Sequence, residues 1–196
     1  MARLPTLLTI SAFMGFAACS SQAAYRTDPV DPPTVAQVDL ERYSGLWYEI
    51  ARYPNGFQKQ CEGVTAEYSL REDGKVNVTN TCHLGDERSA TAIARVVPNS
   101  GNSKLEVKFA PKWVPFAWGD YWILHLEDDY SAALVGSPDG KYLWILARTP
   151  VINDALMDKI KQRAEELGYA IAPLKMTTHM GASPEGPAKS LPPSEQ

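Results

Sequence analysis

The stretch "VTAEYSLREDGKVNVTNTC", residues 64–82, decides the fold class. Val64, Ala66, Tyr68 and Leu70 recur at every second position, and after Asp73-Gly74 the same period returns with Val76, Val78 and Cys82. Alternation of this kind is the mark of a β-strand with one face buried, and two such runs around an Asp-Gly pair form a hairpin. A two-residue loop would set Val76 opposite Arg71 and split the apolar faces. A three-residue loop, Glu72-Asp73-Gly74, aligns Leu70 with Val76, Tyr68 with Val78 and Val64 with Cys82, so the pattern selects it and puts Gly74 in the left-handed position.

Further strands are expected outward from the hairpin. "SGLWYEIARYPNGFQ" (44–58) holds one over 46–53, stopped by Pro54, Asn55 and Gly56. Others fall at about 91–97, 104–109, 121–127, 131–137 and 142–148, between turn signals such as "PNSGNS" and "SPDG", which makes eight. Then the period changes. Asn153 can cap a helix whose apolar positions Leu156, Ile160, Ala164 and Leu167 step by four, four and three before Gly168. Short strands at this spacing form a sandwich or a barrel, here with one amphipathic helix behind it.

The ends of the chain are different in character. Arg3 precedes an apolar stretch, Leu7 to Ala18, about half the length of a bilayer-spanning helix, which reads as a signal peptide over residues 1–18. "FAACS" resembles the lipobox of bacterial lipoproteins, in which the cysteine, Cys19 here, is acylated and becomes the first mature residue. Phe16 departs from the usual leucine, so ordinary secretory cleavage after Ala23 or Ala24 stands as the alternative. Residues 19–37, with Pro29, Pro32 and Pro33, read as a flexible tether, and 181–196 as a tail too polar to pack. The folded domain is expected over 38–180.

Three cysteines in an exported chain leave one over, and Cys19 is the odd one if it carries lipid. Cys61 and Cys82 then bridge or remain as buried thiols. In the hairpin register Cys61 lies one step beyond the partner of Cys82 and on the wrong parity, so a bridge requires the chain to bend near Gly63. The 19 basic and 23 acidic residues give a net charge of -4 with no basic run, which argues against nucleic acid as a partner.

Eight antiparallel strands and then one helix is the element order of the lipocalins, and the motifs fit. "DLERYSGLWYEIARYPNGFQ" (39–58), "GDYWILHLEDDYSAALVGSPDGKYLWILARTP" (119–150) and a helix ending in "ELGY" look like the bacterial outer-membrane lipocalins, relatives of apolipoprotein D, over about 140 residues. The resemblance implies an all-β fold: an eight-stranded antiparallel up-and-down barrel, closed at one end, with a C-terminal α-helix packed outside. It also implies a barrel floor made by Gly45, Trp47 and Arg148, with the guanidinium across the indole. The partners it implies are a fatty acid or lysophospholipid inside the barrel and the outer membrane through lipidated Cys19, with the protein facing the periplasm. A homodimer stays open.

If Trp47 points inward, strict alternation puts Glu49, Ala51 and Tyr53 on its face, and Tyr142, Trp144 and Leu146 on that of Arg148. With Val64, Ala66, Tyr68 and Val78 they are expected to line the ligand cavity. Trp113, in the aromatic segment "APKWVPFAWGDYW" (110–122), is expected at its mouth, with Lys112 beside it. Glu49 is the awkward member, because a buried carboxylate needs a partner or a proton.

No catalytic motif, metal-ligand spacing or cofactor loop is present, and His83, His125 and His179 are scattered, so no cofactor or metal is expected. The rivals are a barrel that carries haem, a bilin or another cyclic hydrophobe, and a lipid- or isoprenoid-modifying enzyme with Glu49 and Tyr53 as an acid-base pair.

Overall fold

The computed structural model describes residues 22–59, 61, 63–84, 86–109 and 118–179. Cys19, Lys112, Trp113, the signal segment and the tail from 181 lie outside those residues.

A short helix α1 (Leu40–Tyr43) precedes eight barrel strands: β1 (Gly45–Arg52), β2 (Gly63–Leu70), β3 (Val76–Leu84), β4 (Asp86–Val96), β5 (Lys104–Lys108), β6 (Gly119–Leu126), β7 (Ala132–Gly136) and β8 (Leu143–Ala147). Helix α2 (Asp154–Glu166) and a two-residue strand β9 (Lys175–Met176) follow. Each barrel strand pairs antiparallel with the next, and β1 pairs with both β8 and β2, so the sheet closes. Closure removes the free edges that an open sheet would present to other chains. β9 joins the edge of β1 at Ala51 and Arg52, beyond the point where β2 leaves it.

The β2–β3 ladder runs Val64↔Cys82, Tyr68↔Val78, Leu70↔Val76, the register that the apolar pattern selects. Arg71 N–H donates to Lys75 O, which leaves residues 72–74 as the loop, and Gly74 sits at φ +74°. Cys61 and Cys82 are bridged, with Cα atoms 5.3 Å apart. The bend occurs before Gly63: Cys61 N–H donates to Gln58 O in a turn, so the ladder's parity no longer governs the cysteine.

Two apolar clusters lie on the two sides of the sheet. The inner one gathers Trp47, Ala66, Tyr68, Val76, Val78, Ala92, Ala94, Ile123 and Leu146, and the outer one buries Ile50, Ala51, Leu124, Leu134 and Ile145 under Met157, Ile160, Ala164 and Leu167 of α2. Asn153 caps α2 by accepting from Leu156 N–H at 2.9 Å. Met157 is buried where the four-residue stepping pointed to Leu156, which packs only partly against the cluster.

The first described residues depart from the free tether expected before Val38. Tyr25 and Ala170 share a backbone hydrogen bond, Tyr25 N–H donates to Gly140 O, Val35 N–H to Ile123 O, and Pro32 is fully buried. The chain is able to lie this close because of two glycines. A Cβ on Gly140 would stand 2.3 Å from Arg26 Cβ, and one on Gly101 would stand 2.1 Å from Ala36 O. Residues 22–37 therefore run along the barrel. Too few large apolar side chains occur there for the packing to register in composition.

Candidate ligand-binding site

The closed end is built around Trp47, which is fully buried opposite Ala66 of β2 and donates from its indole N–H to Tyr43 O at 2.8 Å. The Arg148 guanidinium lies 4.0 Å from the indole ring and donates to three backbone carbonyls: Leu46 at 2.7 Å, Arg42 at 2.7 Å and Ser44 at 2.9 Å. The planar fork of arginine suits both tasks at once. Gly45, between those carbonyls, has φ +91°, which a side chain would strain. Helix α1, capped by Asp39, brings Tyr43 beneath the barrel. Tyr130, itself at φ +64°, accepts from Asp39 N–H through its hydroxyl and lies under the Arg42 guanidinium at 3.9 Å.

Above this floor is a cavity of about 350 Å³, which shares Phe57, Gln58, Val64, Asn80 and Phe109 as wall residues with an outer vestibule of about 650 Å³. Val64, Ala66, Tyr68, Val78, Tyr142, Trp144 and Leu146 all line the inner cavity, as does Glu49. Tyr142 and Trp144 stack face to face, 5.6 Å between centroids, on successive inward positions of the chain approaching and entering β8. Phe57 and Phe109 line both cavities and are 62% and 49% exposed, large apolar surfaces at the mouth. Neither was legible as a site residue. Phe57 sits in a turn-rich segment, and Phe109 follows β5, a strand in which Leu105 alone is buried.

Ala51 and Tyr53 do not line the cavity. In the β1–β8 ladder Glu49 pairs with Leu146 but Ala51 pairs with Ile145, so one residue, Ile50, is extra in β1. A bulge of this kind reverses the inside–outside parity beyond it. Ala51 and Tyr53 thereby join the outer cluster under α2, and the Tyr53 hydroxyl donates to Ala170 O at 2.7 Å. An acid-base pair of Glu49 with Tyr53 is removed by the same reversal.

What the bulge brings toward Glu49 instead is Arg52, whose Nε lies 3.3 Å from a Glu49 carboxylate oxygen. Glu49 also accepts from Gln58 Nε2 at 2.8 Å and from the Thr177 hydroxyl at 2.6 Å. Gln58 is held in turn by Asn55, which receives its N–H and donates to its side-chain oxygen, and Arg52 donates to Gln58 O at 2.6 Å. Glu49, Arg52, Asn55 and Gln58 are all buried. Burial pushes the Glu49 carboxyl above the ordinary glutamate range, against the opposing pull of Thr177, Arg52 and Gln58. Thr177 comes from the segment after β9, where His179 also meets the Glu49 backbone carbonyl at 2.8 Å. No local sequence signal connects residues 128 positions apart.

A second polar group lies deeper. The hydroxyls of Tyr43 and Tyr68 each stand within hydrogen-bond distance of the Tyr121 hydroxyl, at 2.8 and 2.9 Å. Burial raises all three phenols, Tyr68 to about 12, so they remain protonated across the physiological range. Trp118, from the aromatic segment, lies outside the cavity wall with Arg95 4.2 Å over its ring. Among the described residues no group of three His, Cys, Asp or Glu side chains is placed to hold a metal ion.

A barrel plugged at one end by an indole and a guanidinium, open at the other and lined between by apolar and aromatic side chains, is a calyx, the class of β-barrel that encloses one small hydrophobic molecule. Residues 38–179 match the model of the lipocalin-like domain. Outer membrane lipoprotein Blc of Escherichia coli (strain K12) is 36% identical over 175 residues, 88% of this chain and 94% of its own. Temperature-induced lipocalin-1 of Arabidopsis thaliana is 36% identical over 165 residues, 81% and 89% of the two chains. The chain belongs to the lipocalin family. In fold it is also similar to insecticyanin from the tobacco hornworm Manduca sexta, with a TM-score of 0.62 at 22% identity over 80% of this chain and 87% of that one.

Proposed function

We propose that this protein is a lipid carrier of the bacterial outer membrane, acylated at Cys19 and facing the periplasm, which holds a fatty acid or lysophospholipid in its barrel and serves envelope maintenance or lipid transport under stress. The observation that carries the proposal is the largely apolar cavity above the Trp47–Arg148 floor. Each methylene hidden there gains about 0.8 kcal/mol, while a charged head group remains at the wet mouth. Lys59 and Arg88 line the outer vestibule and suit a carboxylate or phosphate. The membrane location rests on the lipobox-like "FAACS" and on the name of the bacterial relatives, outer membrane lipoprotein.

No histidine lines either cavity, which leaves haem without the axial ligand it most often uses. A bound bilin or haem would colour the purified protein, and its visible absorption spectrum tests for both.

The test is a titration of the purified full chain with a fatty acid and a lysophospholipid, followed by tryptophan fluorescence, since Trp144 stands in the cavity wall. Saturable one-to-one binding at micromolar affinity or tighter is expected, and the stronger of the two names the head group. No response to either would refute the carrier.

A further inference from the structure

The cavity's inner end is not the plain hydrocarbon surface that an acyl chain alone would need. Tyr43, Tyr68 and Tyr121 form a chain of hydroxyls just above Trp47, with Tyr121 in the middle and the Tyr43 ring 4.8 Å from the indole. Tyr68 and Tyr121 belong to the cavity wall and Tyr43 lies behind them. Phenylalanine would fill nearly the same space without bringing polar atoms into it.

Three hydroxyls carry three protons, and the two hydrogen bonds among them use two. The third proton points out of the chain, and it lies on Tyr68 or Tyr121, the two members that line the cavity, whenever Tyr43 donates to Tyr121. Because burial keeps these phenols protonated, the inner end of the cavity offers a hydrogen-bond donor and not a negative charge.

The number of donors restricts what that end can take. A carboxylate or phosphate buried at this depth needs several donors or a countercharge to offset its lost hydration. The nearest cation, Arg148, is already committed to the carbonyls of Arg42, Ser44 and Leu46. One remaining O–H suits one neutral oxygen, which accepts the phenol's proton and, if it is itself a hydroxyl, returns its own to a phenolic oxygen.

We propose that the tyrosine chain is a deep polar subsite, and that this barrel selects chains bearing a neutral oxygen, a hydroxyl or a keto group, at the end that enters first. The inference rests on the carrier reading and specifies its ligand: an amphiphile with an anionic head at the mouth, near Lys59 and Arg88, and an oxygenated tip at the floor.

Dodecanoic acid and 12-hydroxydodecanoic acid, which differ only at the tip, test it by competition against a fluorescent fatty acid on the purified full chain. In a purely apolar pocket the added hydroxyl weakens binding by roughly 5- to 150-fold, because it is buried without a partner. Here the hydroxy acid is expected to bind at least as tightly as dodecanoic acid or within about threefold of it. In the double variant Tyr68→Phe/Tyr121→Phe, the ratio of the two affinities is the readout, and it is expected to shift about tenfold or more against the hydroxy acid relative to the wild type.

A wild-type protein that binds dodecanoic acid but holds the hydroxy acid about fivefold or more weaker overturns the subsite and leaves the carrier standing. Binding of neither acid overturns both. The wild-type comparison decides by itself, so the outcome does not depend on the double variant folding.

Discussion

Replacing Arg148 separates a structural floor from a ligand contact. Its guanidinium lies 4.0 Å from the Trp47 ring and makes three hydrogen bonds to the backbone that joins α1 to β1. The side chain is only partly buried, so water competes for the carbonyls, and each bond stabilises by about 1 kcal/mol net. The cation over the indole adds roughly 0.5–1 kcal/mol at such a site. Contacts sharing one group are not additive, and Arg148→Met is expected to cost roughly 3 kcal/mol in all. For a chain of this size that lowers the melting temperature by about 6–12 °C. Arg148→Lys keeps the charge but loses the fork and the flat stacking surface, and should recover less than half of the loss. Thermal unfolding followed by circular dichroism reads the stability, and competition binding of dodecanoic acid reads the site. Because Arg148 is absent from the cavity wall, affinity is expected to stay within about threefold of the parent at a temperature where both proteins are folded. A melting temperature within about 2 °C of the parent together with a tenfold or greater loss of affinity would place Arg148 in the ligand site and remove it from the floor.

Three other outcomes are expected. Cys61→Ser/Cys82→Ser opens a loop with a sequence separation of 21 and should cost about 3 kcal/mol in the chain-entropy account; equal urea midpoints for the variant and the oxidised parent would show that the bridge contributes nothing. For Glu49, burial raises the folded carboxyl above the unfolded value, so its contribution to stability is complete below the ordinary glutamate range and is lost as pH rises through that range to the raised folded value. The stability of the parent relative to Glu49→Gln should therefore fall from pH 4 to pH 8 in urea titrations, and a difference that stays flat or rises would mean that Arg52 and the two hydrogen bonds outweigh burial. Trp144→Phe should remove most of the ligand-induced fluorescence change while competition binding still reports saturation; an undiminished signal would put the ligand away from the β8 wall.

The sequence-based expectations succeeded where side chains alternate and failed where the backbone departs from regular geometry. The β2–β3 register followed from four apolar positions on one strand and three on the other, because slipping by one residue would have turned every one of them to water. Asn153 and the stepping of Ile160, Ala164 and Leu167 marked α2 by the same logic of a face that must be buried. Helix α1 spans only four residues and has no period to read, and residues 22–37 pack through backbone hydrogen bonds that leave no trace in composition. β9 reaches the barrel only because β2 pairs with β1 no further than Tyr48, an event in three dimensions that no window of sequence contains.

The bulge at Ile50 shows how one such departure changes the chemistry of the wall. In an unbroken strand, Ala51 and Tyr53 would face the ligand with Glu49, and Arg52 would point outward, as charged residues usually do. The extra residue exchanges them. Ala51 then fits the close contact beneath α2, where it is fully buried, and Tyr53 finds a backbone carbonyl for its hydroxyl. The Glu49 carboxylate gains a cation 3.3 Å away and a hydroxyl on one oxygen, and a side-chain amide on the other. Removing the cation alone would leave a buried charge, which is the expensive arrangement. Glu49, Arg52, Gln58 and Thr177 therefore act as one unit that ties β1, the turn after it and the segment after β9 together beside the cavity. The tyrosine chain lies at the other end of the same cavity and has a hydrogen-bond donor to offer, whereas the Glu49 group directs its polar atoms mostly at one another. The wall near the mouth thus spends most of its hydrogen bonds on itself, with Arg52 Nε paired to Glu49 by charge alone, and chemical selectivity toward the buried part of a ligand is left to the floor.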